Sequence, residues 1–424
     1  MRKCNPSPKE TPKETTAESV VTYLQTSQAV RDRTQKIFEL SQADRLDHFT
    51  CNLSQLDTVV HYVIETTQQS YPDLNIPFHS RWRHFDTGGI SRLANLHEAL
   101  QPLDRSEKAR SLLDLAIVSV LLDAGAGNRW HYRDTVTESP GVVLSRSEGL
   151  AVASLRAFEQ GFFSSDSAQP HRVDAQRLQQ ISEAELAQLF QVSESNPLVG
   201  LSGRLTLLHQ LGATLAAQPD YFGTLPARPG KLLDYLTDSY GTELEAGLLL
   251  TEVLKCLGPI WPGRVTVAGV NLGDVWPHPA LGDSPPQNLV PFHKLSQWLT
   301  YSLVEPLVTA GMTVANLNAL TGLAEYRNGG LCVDLGLLVP KHSAVTDVPH
   351  LPGSPVVVEW RALTLAMLDL IGDRVCNQLN KSLEELPLLK VLEGGTWAAG
   401  RRIAKQLRPS GGPPIAIKSD GTVF

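Results

Sequence analysis

The chain has 424 residues, 42% hydrophobic and 19% charged, a globular composition that excludes a disordered or fibrous polypeptide. Its net charge of −7 and pI near 6.0 argue against a protein that coats nucleic acid, since neutralising phosphates needs a dense basic face. A small anionic ligand needs only a few local cations and stays open.

Residues 1–18 read as a flexible polar tail; the stretch lacks an apolar h-region, which argues against a secretory signal. Val20, Val21, Leu24, Val30, Ile37 and Phe38 then recur at helical spacing. "SQLDTVVHYVIETTQQSY" repeats the pattern with Ser54 as its cap, and "PDLNIPFHSRWRHFDTGG" breaks it as a loop. "SEKARSLLDLAIVSVLLDAGAG" predicts a buried helix capped by Ser106 and stopped by Gly-Ala-Gly. Further helices follow: one ends at Gly161, one starts with a Ser182/Glu185 capping box, and three lie between Gly203 and Gly258. Strand candidates are few: "RVTVAGV", "SPVVVEW" and the terminal "PPIAIKSDGTVF" with its Asp-Gly hairpin signal. The pattern predicts a mainly α protein, a single large helical domain over residues 19–424 with a small β accessory. No apolar run is long enough for a bilayer, so no membrane is expected. Five scattered cysteines without CxxC spacing argue against zinc or disulfides and fit a reducing cytoplasm.

No P-loop, HExxH, GxSxG or Rossmann glycine pattern is present, so the candidates are polar islands in apolar or turn sequence. In "FHSRWRHFDTGG", Arg81, Arg83 and His84 beside a Gly-Gly turn suit a phosphate, or form a solvated basic loop. In "LLDAGAGNRWHY", Asp123 ends an apolar helix ahead of Asn128 and Trp130. A charge there needs a partner, either structural, such as Arg129, or a sugar hydroxyl. In "VPFHKLSQWLTYS", His293 precedes a helix on which Lys294, Gln297, Trp298 and Tyr301 share one face: a ligand wall, or a half-buried face with a snorkelling lysine. "LAEYRNGGL" puts Glu325, Tyr326 and Arg327 at a seam between apolar segments, and "PVVVEWRALTL" puts Glu359 and Arg361 inside one. Arg361 with Glu325 and Arg327 with Glu359 would make a buried cross-brace.

Taken together, "RWRHFDTGG", "DAGAGNRWHY", "NPLVGLSGRL", "LVPFHKLSQWLTYSLVEPL", "LAEYRNGGLCVDLGLL" and "EGGTWAAGRRIAKQLRP" resemble the uracil-catabolism protein 4 family over nearly the whole chain. That resemblance implies a place in a route that uses uracil as nitrogen source. Functional links would run to a uracil phosphoribosyltransferase and to a GTP-cyclohydrolase-II-like ring-opening enzyme, with urea released later from a ribosylurea-type intermediate. Shorter islands, within about 110–375, are similar to the queuosine-phosphate N-glycosidase family, a helical fold related to helix-hairpin-helix glycosylases. That similarity implies Lys294 and Gln297 on one site helix, Glu359 and Arg361 on another, and Glu325 where the family has its catalytic Asp. Gly329-Gly330 stand where it has Pro-Gln.

The implied chemistry is hydrolysis of the N-glycosidic bond of a ribosyl-ureido small molecule, with no cofactor and no metal. Glu325 would hold a carboxylate beside the anomeric carbon, with Arg327, Glu359 and Arg361 fixing it. Asp123 would hold a ribose hydroxyl. Lys294, Arg81 and Arg83 would take a phosphate, and Trp298, Trp130 and Tyr326 would wall the urea side. Two rivals remain: a non-catalytic protein that holds the ring-opened intermediate, and an amidohydrolase acting on the ureido carbonyl.

Overall fold

The computed structural model describes residues 16–135, 141–262 and 264–418. Helices account for 58% and strands for 8%, the mainly helical balance that the periodicity predicts. The central element is the helix Arg105–Leu121, in which every residue from Ser111 to Leu121 is buried. Its cap is Asp104 rather than Ser106. Asp104 has extended φ/ψ and its carboxylate accepts the Glu107 N–H, whereas Ser106 already lies inside the first turn. Against it packs Lys294–Ala310, and a third long helix, Pro355–Leu379, covers the helices Ser27–Gln42 and Leu56–Ser70.

Pro355–Leu379 overturns the strand expected at "SPVVVEW". Pro355 occupies the first helical turn after an extended Ser354, where its missing N–H costs nothing. Val356, Val357 and Val358 are all buried. Burying each is worth about 1.5–3 kcal/mol, against a helix-propensity penalty of at most about 0.7 kcal/mol, so packing wins. The Ser182/Glu185 capping box is present as expected. Ser54 lies in a short 3-10 turn ahead of Leu56–Ser70 and caps nothing, and Trp82–Phe85 is a turn of helix inside the stretch read as loop.

Among the described residues the β accessory consists of five two-stranded sheets, two of which staple distant segments. Phe49–Cys51 pairs with Leu338–Pro340, and Glu243–Glu245 runs parallel to Thr313–Ala315. "RVTVAGV" forms the small hairpin Thr266–Val267/Val270–Asn271. At the C-terminus Ile417 makes a parallel bridge to His350; the Asp-Gly hairpin signal falls outside the described residues. The first helix, Ala17–Leu24, begins inside the stretch read as tail and packs Val20, Val21 and Leu24 on Leu272, Val275 and Leu289. The main core runs continuously from Val30 to Ile415. No described helix is long and apolar enough to cross a membrane.

Ion networks tie the core together. Arg228 bridges Asp114 and Glu107, and Glu107 also meets Arg110 and Arg172. Although burial opposes it, this ring of guanidinium groups lowers the Glu107 carboxyl from 4.5 to about 2. A depressed native pKa gives stability that is present above the unfolded value and lost as pH falls through the folded one. Acid titration monitored by circular dichroism should therefore show stability declining between pH 4.5 and about 2. Glu107→Gln should flatten that limb, and an unchanged limb would assign the loss to other carboxylates.

Candidate active site

Glu325 ends an extended stretch and caps the helix Tyr326–Asp334. Its Oε2 accepts the Arg327 N–H at 2.9 Å and its Oε1 the Asn328 N–H at 2.6 Å. The carboxylate thus occupies the positive end of a helix with both oxygens oriented by backbone, and it lines a cavity of about 710 Å³. Gly329-Gly330 lie in the middle of this helix. A Cβ on Gly329 would come within 2.7 Å of the Trp360 ring, whose Nε1 donates to the Gly329 carbonyl. Only glycine permits that approach.

Asp123, Asn128, His84, Lys294, Trp298, Tyr326 and Arg327 line the same cavity. Asp123 has Arg81 as its partner, not Arg129: Nη1 lies 2.9 Å from Oδ2, and the Ser147 hydroxyl donates to the same oxygen at 2.7 Å. Burial works against ionisation, but Arg81 and its neighbours hold the Asp123 carboxyl below the ordinary carboxylate range. Burial and Arg81 push His84 down to about 4, so its ring is neutral near pH 7. Arg204, itself buried, donates to the carbonyls of Leu122 and Ala124 and so secures the chain on both sides of Asp123.

Lys294 opens its helix after His293, which adopts a left-handed conformation with φ 48°. Burial lowers the Lys294 ammonium pKa, while the Glu325 carboxylate opposes that shift. The Lys294 N–H donates to Asp274, and Asp274 in turn forms a bidentate pair with Arg361, both contacts 2.8 Å. The expected cross-brace is therefore replaced. Arg361 meets Asp274 rather than Glu325, and Glu359 accepts the N–H groups of His48 and Phe49 rather than pairing with Arg327. Two residues apart on one helix, Glu359 and Arg361 face different sides. Arg327 instead stacks its guanidinium 4.0 Å over Trp397, with Nη1 buried and without a hydrogen-bond partner among the described residues. Trp298 Nε1 is likewise buried and unspent.

The remaining expected contacts stay behind the wall. Arg81 turns to Asp123, Ser119 and Ser147, Arg83 pairs with Glu305 at 2.6 Å, and neither lines the cavity. Trp130 donates to the Phe190 carbonyl within the core, and His293 bonds the Leu24 carbonyl. Gln297 and Tyr301 both grip Thr321, four residues before Glu325, and so position the segment that carries the carboxylate.

His79 lines the wall from within the "FHSRWRHFDTGG" island, whereas Arg146, Ser147, Trp397 and the strap Ser410–Pro413 escaped the sequence reading. Trp397 follows a π-helical turn, Leu392–Thr396, whose Gly394 and Gly395 lie against Val63, Thr67 and Ile76. "EGGTW" was the available signal, since such irregular turns cluster at functional sites. Arg408 fastens the strap: two nitrogens pair with Asp334 at 2.7 and 2.5 Å, and Nε donates to the Gly412 carbonyl at 2.7 Å. Arg408→Ala should speed amide hydrogen exchange over residues 411–418 by roughly tenfold while sparing the core. Unchanged exchange there would show that the His350–Ile417 bridge suffices to hold the strap.

The model of the family described as "Protein of unknown function (DUF1688)" matches residues 23–424. Protein urg3 of Schizosaccharomyces pombe is 41% identical over 415 residues, spanning 95% of this chain and 99% of that one. Uracil catabolism protein 4 of Lachancea kluyveri is 38% identical over 445 aligned residues, spanning 96% of this chain and 100% of its own.

Proposed function

The chain belongs to the DUF1688 family and is a homologue of uracil catabolism protein 4, and from that premise we propose that it is an enzyme of uracil catabolism. The reaction on this reading is hydrolysis of the N-glycosidic bond of a phosphorylated ribosyl-ureido compound, with release of urea. The single observation that carries it is Glu325: a carboxylate 9% exposed, oriented by two backbone N–H groups, on the wall of a cavity large enough for a small metabolite. Breaking a glycosidic C–N bond builds positive charge on the sugar ring. An oriented anion in a shielded site stabilises that charge more than it stabilises the neutral ground state.

The surrounding groups support the same reading. Asp123 spends Oδ2 on Arg81 and Ser147, and its other oxygen is available to a ribose hydroxyl. Arg327 and Trp298 line the same cavity, the first as a guanidinium and the second as an aromatic wall suited to a planar ureido group. Arg146, Lys294 and Arg327 on the wall outnumber the carboxylates Asp123 and Glu325, an imbalance that favours an anionic ligand although the whole chain carries −7. A helical scaffold of the helix-hairpin-helix glycosylase type, and work downstream of a uracil phosphoribosyltransferase and a ring-opening enzyme of the GTP-cyclohydrolase-II type, belong to the same proposal.

The test is direct. Purified protein is mixed with N-ribosylurea and with its 5′-phosphate in isotopically labelled water. Equimolar urea and sugar, with the label on the anomeric carbon, is the expected result. Ammonia and carbon dioxide without urea would mean attack on the ureido carbonyl. Binding without turnover would mean a carrier for the intermediate.

A further inference from the structure

Glycosidic hydrolysis to urea has a second requirement that Glu325 does not meet. The departing nitrogen takes the bonding electron pair and must gain a proton, because a urea anion is too basic to leave unaided. Two histidines line the cavity. His84 is poorly suited: it is neutral, and its Nδ1 faces the Ser147 hydroxyl at 3.0 Å and the Arg81 guanidinium at 3.4 Å. His79 is built differently. Its Nδ1 lies 2.7 Å from Glu393 Oε2, with the two side chains only 2% and 15% exposed. Its backbone N–H is held by the Leu389 carbonyl at 3.1 Å, and its ring stands edge-on to Trp298 with centroids 4.6 Å apart.

A carboxylate on Nδ1 engages that N–H and leaves Nε2 as the working nitrogen, which carries a proton to give when the ring is the imidazolium. Among the described residues Nε2 has no protein partner, in a ring that lines the cavity. Glu393 sits in the π-helical turn that also delivers Trp397, so one irregular segment supplies both the ring's anchor and the neighbouring wall.

We propose that His79, as an imidazolium oriented by Glu393, is the general acid that protonates the leaving nitrogen. The assignment rests on the hydrolytic reading above. As the C1′–N bond breaks, its electron pair passes to the urea nitrogen, which receives the Nε2 proton of His79. Water supplies its oxygen to C1′ and loses its proton to Glu325, which returns it to solvent, and solvent reprotonates His79. The sum is one water consumed, one urea and one free sugar formed.

Two substrates decide the matter: ribosylurea 5′-phosphate, whose leaving group needs a proton, and the matching para-nitrophenyl riboside 5′-phosphate, whose leaving group does not. His79→Asn should lower kcat on the ureido substrate by about 10²–10⁴-fold, and on the nitrophenyl substrate by less than about tenfold. Glu393→Gln, which keeps the ring and its packing, should show the same split at smaller size and decides the case if the Asn variant does not fold. Equal losses on both substrates would make the pair structural, and no loss would hand the acid role to another group such as Lys294; either result overturns the assignment. If the parent protein cleaves neither substrate, the hydrolytic reading itself falls and the assignment with it. If the parent cleaves both and the split is missing, only the assignment falls.

Discussion

Glu325→Gln is expected to keep the fold and ligand affinity while urea release falls by about 10²–10³-fold. The amide has the shape of the carboxylate, so the cavity and its packing persist. One amide oxygen can still accept from the Arg327 or the Asn328 N–H, whereas the NH₂ group opposes the other, so the helix cap loses on the order of 1 kcal/mol. The charge disappears, and with it the attraction that grows only as the sugar becomes cationic. Single-turnover kinetics on the ureido substrate, with binding measured separately by calorimetry, separate these effects. Urea release at the parental rate would remove Glu325 from the chemistry.

Asp274→Ala should destabilise the protein by about 3–5 kcal/mol, the cost of removing one partner from a buried ion pair. Asp274 collects three donors: the Arg361 guanidinium at 2.8 Å, the Trp276 Nε1 at 2.8 Å and the Lys294 N–H at 3.1 Å. Burial opposes ionisation there, yet these donors, Arg361 foremost, hold its carboxyl far below the usual range. Loss of Asp274 also frees the first residue of the helix that carries Lys294 into the cavity, so activity should fall even where the variant stays folded. Denaturant unfolding measures the first effect and kcat the second. A change below about 1 kcal/mol would mean that Arg361 finds compensation elsewhere. Replacing Arg361 and Asp274 together by apolar residues should recover much of the stability, because no lone charge is then left in the core.

The sequence by itself determined the helical class, the capping box at Ser182, and the polar islands that hold Asp123, Lys294, Trp298, Glu325 and Arg327. Each of these follows from neighbours a few residues away: apolar periodicity, an oxygen within reach of the next turn's N–H groups, or a charge set against greasy sequence. Tertiary structure alone decided the pairings. Arg361 met Asp274, 87 residues away, and His79 met Glu393, 314 residues away. Glu359 turned to the backbone of His48 and Phe49, and "PVVVEW" became helix because burial outweighed its propensity. A buried charge states that it needs a partner, but which partner reaches it depends on how the helices cross, and that crossing is set by the whole core at once.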